Sequence, residues 1–378
     1  MLSYWEQQSF TSYHHIIIGA GIVGLSLAIE LKERQPKASV LVLERGLLPT
    51  GASSRNAGFA CMGSVTELLD DIQHMTEDEV VQLFEQRKKG LELLRKRLGD
   101  ANIGYAENGS YELISKKEID AVDKIEYLNR LLKPITNKPA FKIANEKIQT
   151  FGFSETYTKA LIENTCEGEM DTGKMLRTLT NMAMQLGVEI KTGADVEKLE
   201  EEKNHVTVIV KDPFRNGGLL LSAQTVSVCT NAFTKKLLPN VDVRPGRGQV
   251  LITGPIQNLL FKGIFHIEQG YYYFREINGC VLIGGGRNLD FEGEATTAFA
   301  LTEEIQNALE KKLKDVVLPD TSYTIAGRWA GIMAFGPTKQ PIVRQFSNRI
   351  FGAFRMGGMG VALGSNVAQS LGLIIIEK

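Results

Sequence analysis

Cysteine is scarce in this chain: four residues in 378, Cys61, Cys166, Cys229 and Cys280, with no C-x-x-C pair. The five histidines form no ligand-spaced cluster with them. That excludes a disulfide framework and a zinc centre of usual spacing, and no metal site is expected. The cysteine usage fits a reducing cytoplasm. An excess of one charge is lacking too. Lys and Arg number 43, Asp and Glu 44, and the formal net charge is −1. Such a balance gives no long-range field for nucleic acid or an anionic membrane. Long apolar runs are absent: the longest, Ile16 to Leu31, is broken by Gly19, Gly21 and Gly24 and is short for a membrane span. Met1 to His15 hold no secretory signal pattern. What is abundant is glycine, 37 residues, several in clusters. The length suggests two or three domains at about 150 residues each.

The first cluster sits inside a complete βαβ pattern. His15 to Ile18 is a β-branched run that predicts a buried strand. Gly19-Ala20-Gly21-Ile22-Val23-Gly24 follows, then a helix to about Pro36, a second strand Val40 to Leu43, and Glu44. The first glycine allows a tight turn, the second lets a pyrophosphate approach the backbone, and the third lets helix and strand pack closely. Unpaired N–H groups at the helix start attract phosphate. Glu44 accepts hydrogen bonds from ribose hydroxyls. The unit predicts a bound dinucleotide.

No further βαβ repeat follows at once. Gly51-Ala52-Ser53-Ser54-Arg55-Asn56-Ala57-Gly58-Phe59 is small and polar, and reads as an extended loop able to lie along a long cofactor. With this loop at this spacing after Glu44, the sequence resembles the FAD-dependent oxidoreductases of the D-amino-acid oxidase, glycine oxidase and sarcosine oxidase superfamily. The resemblance runs from Ile16 to Ile375. It implies that Gly19, Gly21, Ile22, Val23, Gly24, Glu44, Arg45, Ala52, Ser53, Arg55, Asn56, Ala57, Gly58 and Phe59 hold the cofactor. It also implies that Val196 meets the adenine through its backbone.

Farther on, Glu67 to Gly99 predicts one helix, with Arg87, Lys88, Lys89, Arg95, Lys96 and Arg97 on a solvated face. Lys116 to Leu132 predicts another, followed by a loop with Pro134 and Pro139. Asp171 or Thr172 caps a helix from Lys174 to Leu186. Val206 to Val210 alternates as a strand. Thr225 to Val228 is a strand running into the turn Thr230-Asn231-Ala232, where the family usually has glycine. Asn278-Gly279 marks a hairpin between Tyr271–Arg275 and Val281–Gly284. Within it, Tyr271 and Tyr273 share one face and Tyr272 and Phe274 the other. The first pair, with Arg275, is a candidate substrate surface, suited to an amine by cation–π contact.

A second glycine turn closes the chain. Strand Arg349 to Phe354, turn Arg355-Met356-Gly357-Gly358-Met359-Gly360 and a helix from Val361 repeat the N-terminal logic. The resemblance assigns Gly357, Gly358, Met359, Gly360 and Val361 to the flavin, where a helix start stabilises negative charge.

Trp329 to Pro341 carries the departures. Glycine-oxidase-like relatives place a carboxylate-binding Arg here; this chain has Met333. A second Arg would fall near Gly358. Met333 is retained as a substrate-side residue, and Arg55, Arg247, Arg275, Arg287 and Arg328 are the remaining candidates for an anion. The Cys of sarcosine-oxidase-like relatives falls at Gly331 or a neighbour, none of the four cysteines lies in this segment, and no His lies in Ser53–Gly58, so FAD is expected to be noncovalent. The oxygen-activating Lys of those relatives falls at about Leu282, which leaves oxidase and dehydrogenase both open.

The expectation is an α/β protein: a discontinuous Rossmann-type FAD-binding domain (1–100, 158–244 and 322–378) and a substrate domain with a mostly antiparallel sheet (101–157 and 245–321). The expected reaction oxidises a small amine or amino acid, a hydride passing from the carbon next to nitrogen to flavin N5 and leaving an imine. A 2-hydroxy acid or related alcohol is the alternative substrate, and a flavoprotein module in tRNA modification is a further one. A protein holding FAD without turnover is the non-enzymatic reading. The expected partner is a small molecule, with oxygen or another electron acceptor. No nucleic acid is expected.

Overall fold

A computed structural model describes residues 2–377. The β-branched run after the N-terminal helix becomes strand Ser12–Ile18, and the glycine turn opens helix Ile22–Arg34. The first sheet has eight strands. Its parallel centre runs Ile350–Phe354, Leu219–Val228, Ser12–Ile18, Val40–Leu43, Glu189–Lys191. Ile342–Gln345 adds an antiparallel edge, and Val196–Glu201 and Val206–Val210 form an antiparallel extension of Leu219–Val228. Strand Ser12–Ile18 is buried on both faces over its last four residues, as a central parallel strand must be.

Helices Ile22–Arg34 and Glu77–Leu98 both pack on the C-terminal helix Gly360–Ile376. Small residues make these crossings close. A methyl group on Gly90 would stand 2.1 Å from the Ala362 carbonyl oxygen, and one on Gly364 2.7 Å from the Ile22 side chain. The chain's two glycine turns are thereby brought to one end of the first sheet.

The second sheet also has eight strands, in the order Ile325–Phe335, Arg244–Thr253, Cys280–Gly285, Tyr272–Ile277, Ile264–Ile267, Ser110–Ile114, Ala160–Asn164, Phe141–Ile143. Every neighbouring pair is antiparallel except Ile264–Ile267 with Ser110–Ile114. Its outer face covers a ring cluster in which Phe265 and Phe274 stack at 4.6 Å. Ala160–Asn164 and Ile325–Phe335, placed with the FAD-binding segments by sequence, pair in this sheet. Continuous ladder hydrogen bonding, which the sequence does not display, sets that membership.

Four local expectations are corrected. Glu67–Gly99 is two helices, Val65–His74 and Glu77–Leu98. Thr76 ends the first register by capping the second, its hydroxyl accepting from Glu79 N–H while the Glu79 carboxylate accepts from Thr76 N–H. Arg87 is not on a solvated face: it is 1% exposed and donates to the Met62 carbonyl. The Arg97 side chain is also largely covered, against Glu30 and Glu33. Lys116–Lys124 is a 3-10 helix, and helix Ile125–Thr136 runs through Pro134. The polar loop after Gly51 contains a helical turn, Ala52–Arg55, before Phe59–Ala60 pairs with Gly168–Glu169.

Candidate functional site

One cavity of about 690 Å³ lies where the two sheets meet. That falls within the usual range for cofactor and ligand sites, about 300–1,000 Å³. The cofactor and substrate-surface residues singled out by sequence all line it except Gly24, Gly58 and Arg275; of the other anion candidates, Arg287 lines it and Arg247 and Arg328 do not. The reasons for those three are steric and electrostatic. Gly24 faces the strand: a methyl group there would stand 1.9 Å from the Gly19 carbonyl oxygen. Gly58 faces Met170, whose carbonyl oxygen would be 2.2 Å from an added carbon. Arg275 points away from the cavity. It donates to the carbonyls of Ala57, Gly58 and Met170 at 3.2, 3.2 and 2.9 Å and faces Glu169 at 3.5 Å. It clasps the polar loop to the second sheet, which removes it from the candidate substrate surface.

The nucleotide end is built by side chains that brace backbone turns. Glu44 accepts from Ala20 N–H and Gly46 N–H, both at 3.0 Å. Ser53 Oγ accepts from Ile22 N–H at 3.0 Å and would stand equally close to a methyl group on Gly21. Ser53 thus covers the first N–H of helix Ile22–Arg34, and glycine at position 21 leaves it the room to do so. Val196 begins its strand on the wall beside Ala194 and Asp195. The second turn is held by Asn231, from the turn Thr230-Asn231-Ala232. Its Oδ1 accepts from Arg355 N–H at 3.1 Å and from Met356 N–H at 3.5 Å. Gly357 and Gly358 follow in left-handed conformations, φ +56° and +86°, which glycine alone adopts without cost. Two helix starts and an acid at the strand end fit a dinucleotide with a flavin at its far end.

Over that far end stands the second sheet. The alternation in Tyr272–Ile277 holds: Tyr272 and Phe274 are buried in the outer core, and Tyr273 faces the cavity. Tyr271 sits just before the strand at the cavity edge, 36% exposed. Phe59 makes edge contacts with Tyr273 and His266, both at 5.4 Å. Burial pushes the Tyr273 hydroxyl up to about 12, so it remains a neutral phenol. Met333 and Gly358 meet here: the Met333 sulfur would lie 3.6 Å from a methyl group on Gly358.

Sequence reasoning missed an acidic wall. Glu67 and Asp71, one helical turn apart, hold Lys339 at 3.0 and 2.6 Å beside the cavity. Burial opposes the charged form of each. The Glu67 carboxyl is nonetheless lowered, by Lys339 and Arg87, and the Lys339 ammonium is raised by the two carboxylates; the Asp71 carboxyl is raised by burial. An i, i+4 carboxylate pair is a readable signal, but its lysine lies far away in sequence.

His266 faces Glu167 at 3.5 Å, and Glu167 also accepts from Met62 N–H, Gly63 N–H and the Ser110 hydroxyl at 2.5, 2.9 and 2.6 Å. Burial alone would lower the imidazole, but Glu167, Glu112 and Glu67 raise it above its usual 6.5. Burial would raise the Glu167 carboxyl, but His266 and its hydrogen bonds bring it below 4.5. A raised imidazole stabilises fully below its unfolded value and loses that contribution as pH rises through the folded value. A lowered carboxyl loses its contribution as pH falls through the folded value. The stability gap between wild type and His266→Gln is therefore expected to be widest between pH 4.5 and 6.5 and to narrow at higher pH. Denaturant titration across pH checks this.

Two parallel-strand turns aimed at one cleft, under an antiparallel sheet, define a flavin-binding oxidoreductase. The chain belongs to the FAD-dependent oxidoreductase (DAO) family, whose pattern matches residues 14–372. It is 22% identical over 354 residues to the probable oxidoreductase OrdL of Haemophilus influenzae (strain ATCC 51907 / DSM 11121 / KW20 / Rd), covering 92% of this chain and 79% of that protein. To the bifunctional protein ThiO/ThiG of Trichormus variabilis (strain ATCC 29413 / PCC 7937) it is 24% identical over 347 residues, 87% of this chain. It spans about half of that relative, 47%. Among solved structures, glycine oxidase from Geobacillus kaustophilus superposes with a TM-score of 0.79 at 18% identity, covering 97% of this chain and 95% of that one. L-proline dehydrogenase from P. horikoshii gives 0.77 at 18% identity, over 97% and 94%. These structural likenesses establish the fold. The cofactor is FAD, and noncovalent binding is the expectation from the sequence. The two thiols on the cavity wall suit that: burial pushes Cys61 well up and Cys229 to about 12, which disfavours reactive thiolates. Among the described residues no helix is long and apolar enough to cross a membrane.

Proposed function

We propose that this protein oxidises a small amine or amino acid at the carbon next to nitrogen, releasing an imine that water hydrolyses. The observation that carries this reading is the ring-lined space formed by Tyr273, Phe59 and Phe335 directly beside the second glycine turn. FAD, when bound, supplies the hydride acceptor at N5. The chain's part is to position the donor carbon, exclude water and place the start of helix Gly360–Ile376 where negative charge develops. No acid–base dyad is required if the amine enters neutral. The likeness to glycine oxidase and L-proline dehydrogenase supports a CH–NH donor.

The reading places the enzyme in the cytoplasm with a small-molecule substrate, its FAD-binding segments being 1–100, 158–244 and 322–378 apart from strands Ala160–Asn164 and Ile325–Phe335, which pair in the second sheet. A tRNA-binding role is weakened, because the basic helix spends its charges internally: Lys88 on Glu92, Lys89 on Glu85, Arg95 on Asp100 and Glu107. The test is anaerobic mixing of the yellow holoenzyme with amines, amino acids and 2-hydroxy acids. Bleaching of the flavin band by an amine is expected, and acid precipitation is expected to leave the flavin in the supernatant. Bleaching only by hydroxy acids would replace the donor class. Oxygen uptake after bleaching separates oxidase from dehydrogenase.

A further inference from the structure

We propose that Arg287 is the anchor for a substrate carboxylate, which makes the preferred donor an amino acid and not a simple amine. The inference rests on the reading above and narrows its substrate class. Five basic side chains stand on the cavity wall: Arg45, Arg55, Lys236, Arg287 and Lys339. Three have partners. Lys236 is paired with Asp195 at 2.8 Å, Lys339 with Glu67 and Asp71, and Arg55 donates to the carbonyls of Thr50 and Ala330 at 3.1 and 2.9 Å. Arg45 lies at the nucleotide end beside Glu44, over the Phe233 ring at 4.2 Å. The remaining arginines once open as anion sites are also committed: Arg247 to Glu294, Arg275 to the polar loop, Arg328 to Gln306 and Glu310.

Arg287 differs. Among the described residues its guanidinium has no carboxylate or carbonyl acceptor, although it is half-buried. It is held by rings instead, its centre 4.0 Å from Phe335 and 4.7 Å from Phe291. Stacking holds the flat faces and leaves the N–H edges free, the edges that take a carboxylate in a two-pronged bond. The group is therefore ordered in advance and lacks only its anion, which lowers the cost of binding one. Burial pulls its pKa down, against the opposing effect of Tyr271 and Glu294.

Its place is also right. Phe335 and Met333 are two positions apart on strand Ile325–Phe335, hence on one face, roughly 7 Å along the strand. Met333 lies beside the second glycine turn, and Arg287 stacks on Phe335, the next residue along that face. Met333 leaves that inner position apolar, and Arg287 supplies the charge that Met333 cannot.

The test uses the holoenzyme and simple probes. Benzoate and acetate, with benzamide and acetamide as uncharged matches, are titrated against the flavin absorption band. The acids are expected to perturb it and the amides to bind at least about tenfold more weakly. Arg287→Gln is expected to weaken the acids about 10- to 100-fold and leave the amides unchanged, while Arg287→Lys falls between. The flavin-to-protein ratio of each variant reports folding separately. Equal binding of acid and amide, no response to acids, or acid affinity unchanged in Arg287→Gln would each overturn the assignment. If acids bind through Arg287 but no amine bleaches the flavin, the anion site stands and the amine reading fails.

Discussion

Gly24→Ala is expected to yield a protein that carries little FAD and unfolds at lower temperature than wild type even without it. The new methyl group would stand 1.9 Å from the Gly19 carbonyl oxygen, 3.1 Å from its carbon and 3.3 Å from the Ile17 side chain. The obstacle is backbone and cannot rotate away. Gly19 is itself fixed, with φ +105° and its N–H donating to the Leu43 carbonyl at 2.8 Å. Relief requires helix Ile22–Arg34 to move off the strand, and that helix is wedged against Gly360–Ile376. Overpacking of this kind costs about 1–3 kcal/mol, and more where backbone blocks relaxation. The same movement displaces the N–H groups that would face the pyrophosphate of bound FAD. Flavin-to-protein absorbance ratios and thermal unfolding of apoprotein and holoprotein measure the two effects. Gly327→Ala is the control, since its methyl group would meet Ile252 at an ordinary 3.5 Å. Full flavin content with unchanged unfolding in Gly24→Ala would refute the argument.

The second large effect is expected at Glu294. Its carboxylate, 0% exposed, takes both prongs of Arg247, which is 5% exposed, and a bond from Gln249 at 3.0 Å. The Glu294 carbonyl also accepts from Arg247 N–H at 2.8 Å. Glu294→Ala leaves a guanidinium buried without an anion, which costs about 3–5 kcal/mol. Replacing both partners by apolar residues, Arg247→Met with Glu294→Leu, is expected to recover much of that, because the pair's attraction mainly offsets its own desolvation. Urea unfolding of the two single variants and the double variant gives the comparison. A loss below about 0.5 kcal/mol in Glu294→Ala would show that water reaches Arg247. Strand Arg244–Thr253 places Gly248 and Val250 on the cavity wall, so the pair holds a wall of the site without entering it.

Much of the site could be read in advance because its parts are local. A glycine turn between a β-branched strand and a helix is complete within a few residues, and so is its C-terminal counterpart. The alternation that sends Tyr273 inward and Tyr272 outward needs only a strand. Arg275 and Arg87 were misjudged for one common reason. A basic residue reads as solvent-facing or ligand-facing, and what decides between these and burial is where carbonyl groups lie after folding. Met170 is 105 residues from Arg275, and Met62 is 25 from Arg87.

The sequence by itself determined the dinucleotide unit, the flavin turn, the two kinds of sheet and the apolar character of position 333, because each follows from covalent spacing and side-chain chemistry. Only the tertiary structure decided which charges remain available. Pairing Lys339 with Glu67 and Asp71, closing Arg247 on Glu294, and leaving Arg287 between two rings without an acceptor all depend on contacts between segments distant in the chain. Electrostatic commitment is a property of neighbours in space, and spacing along the chain does not encode it.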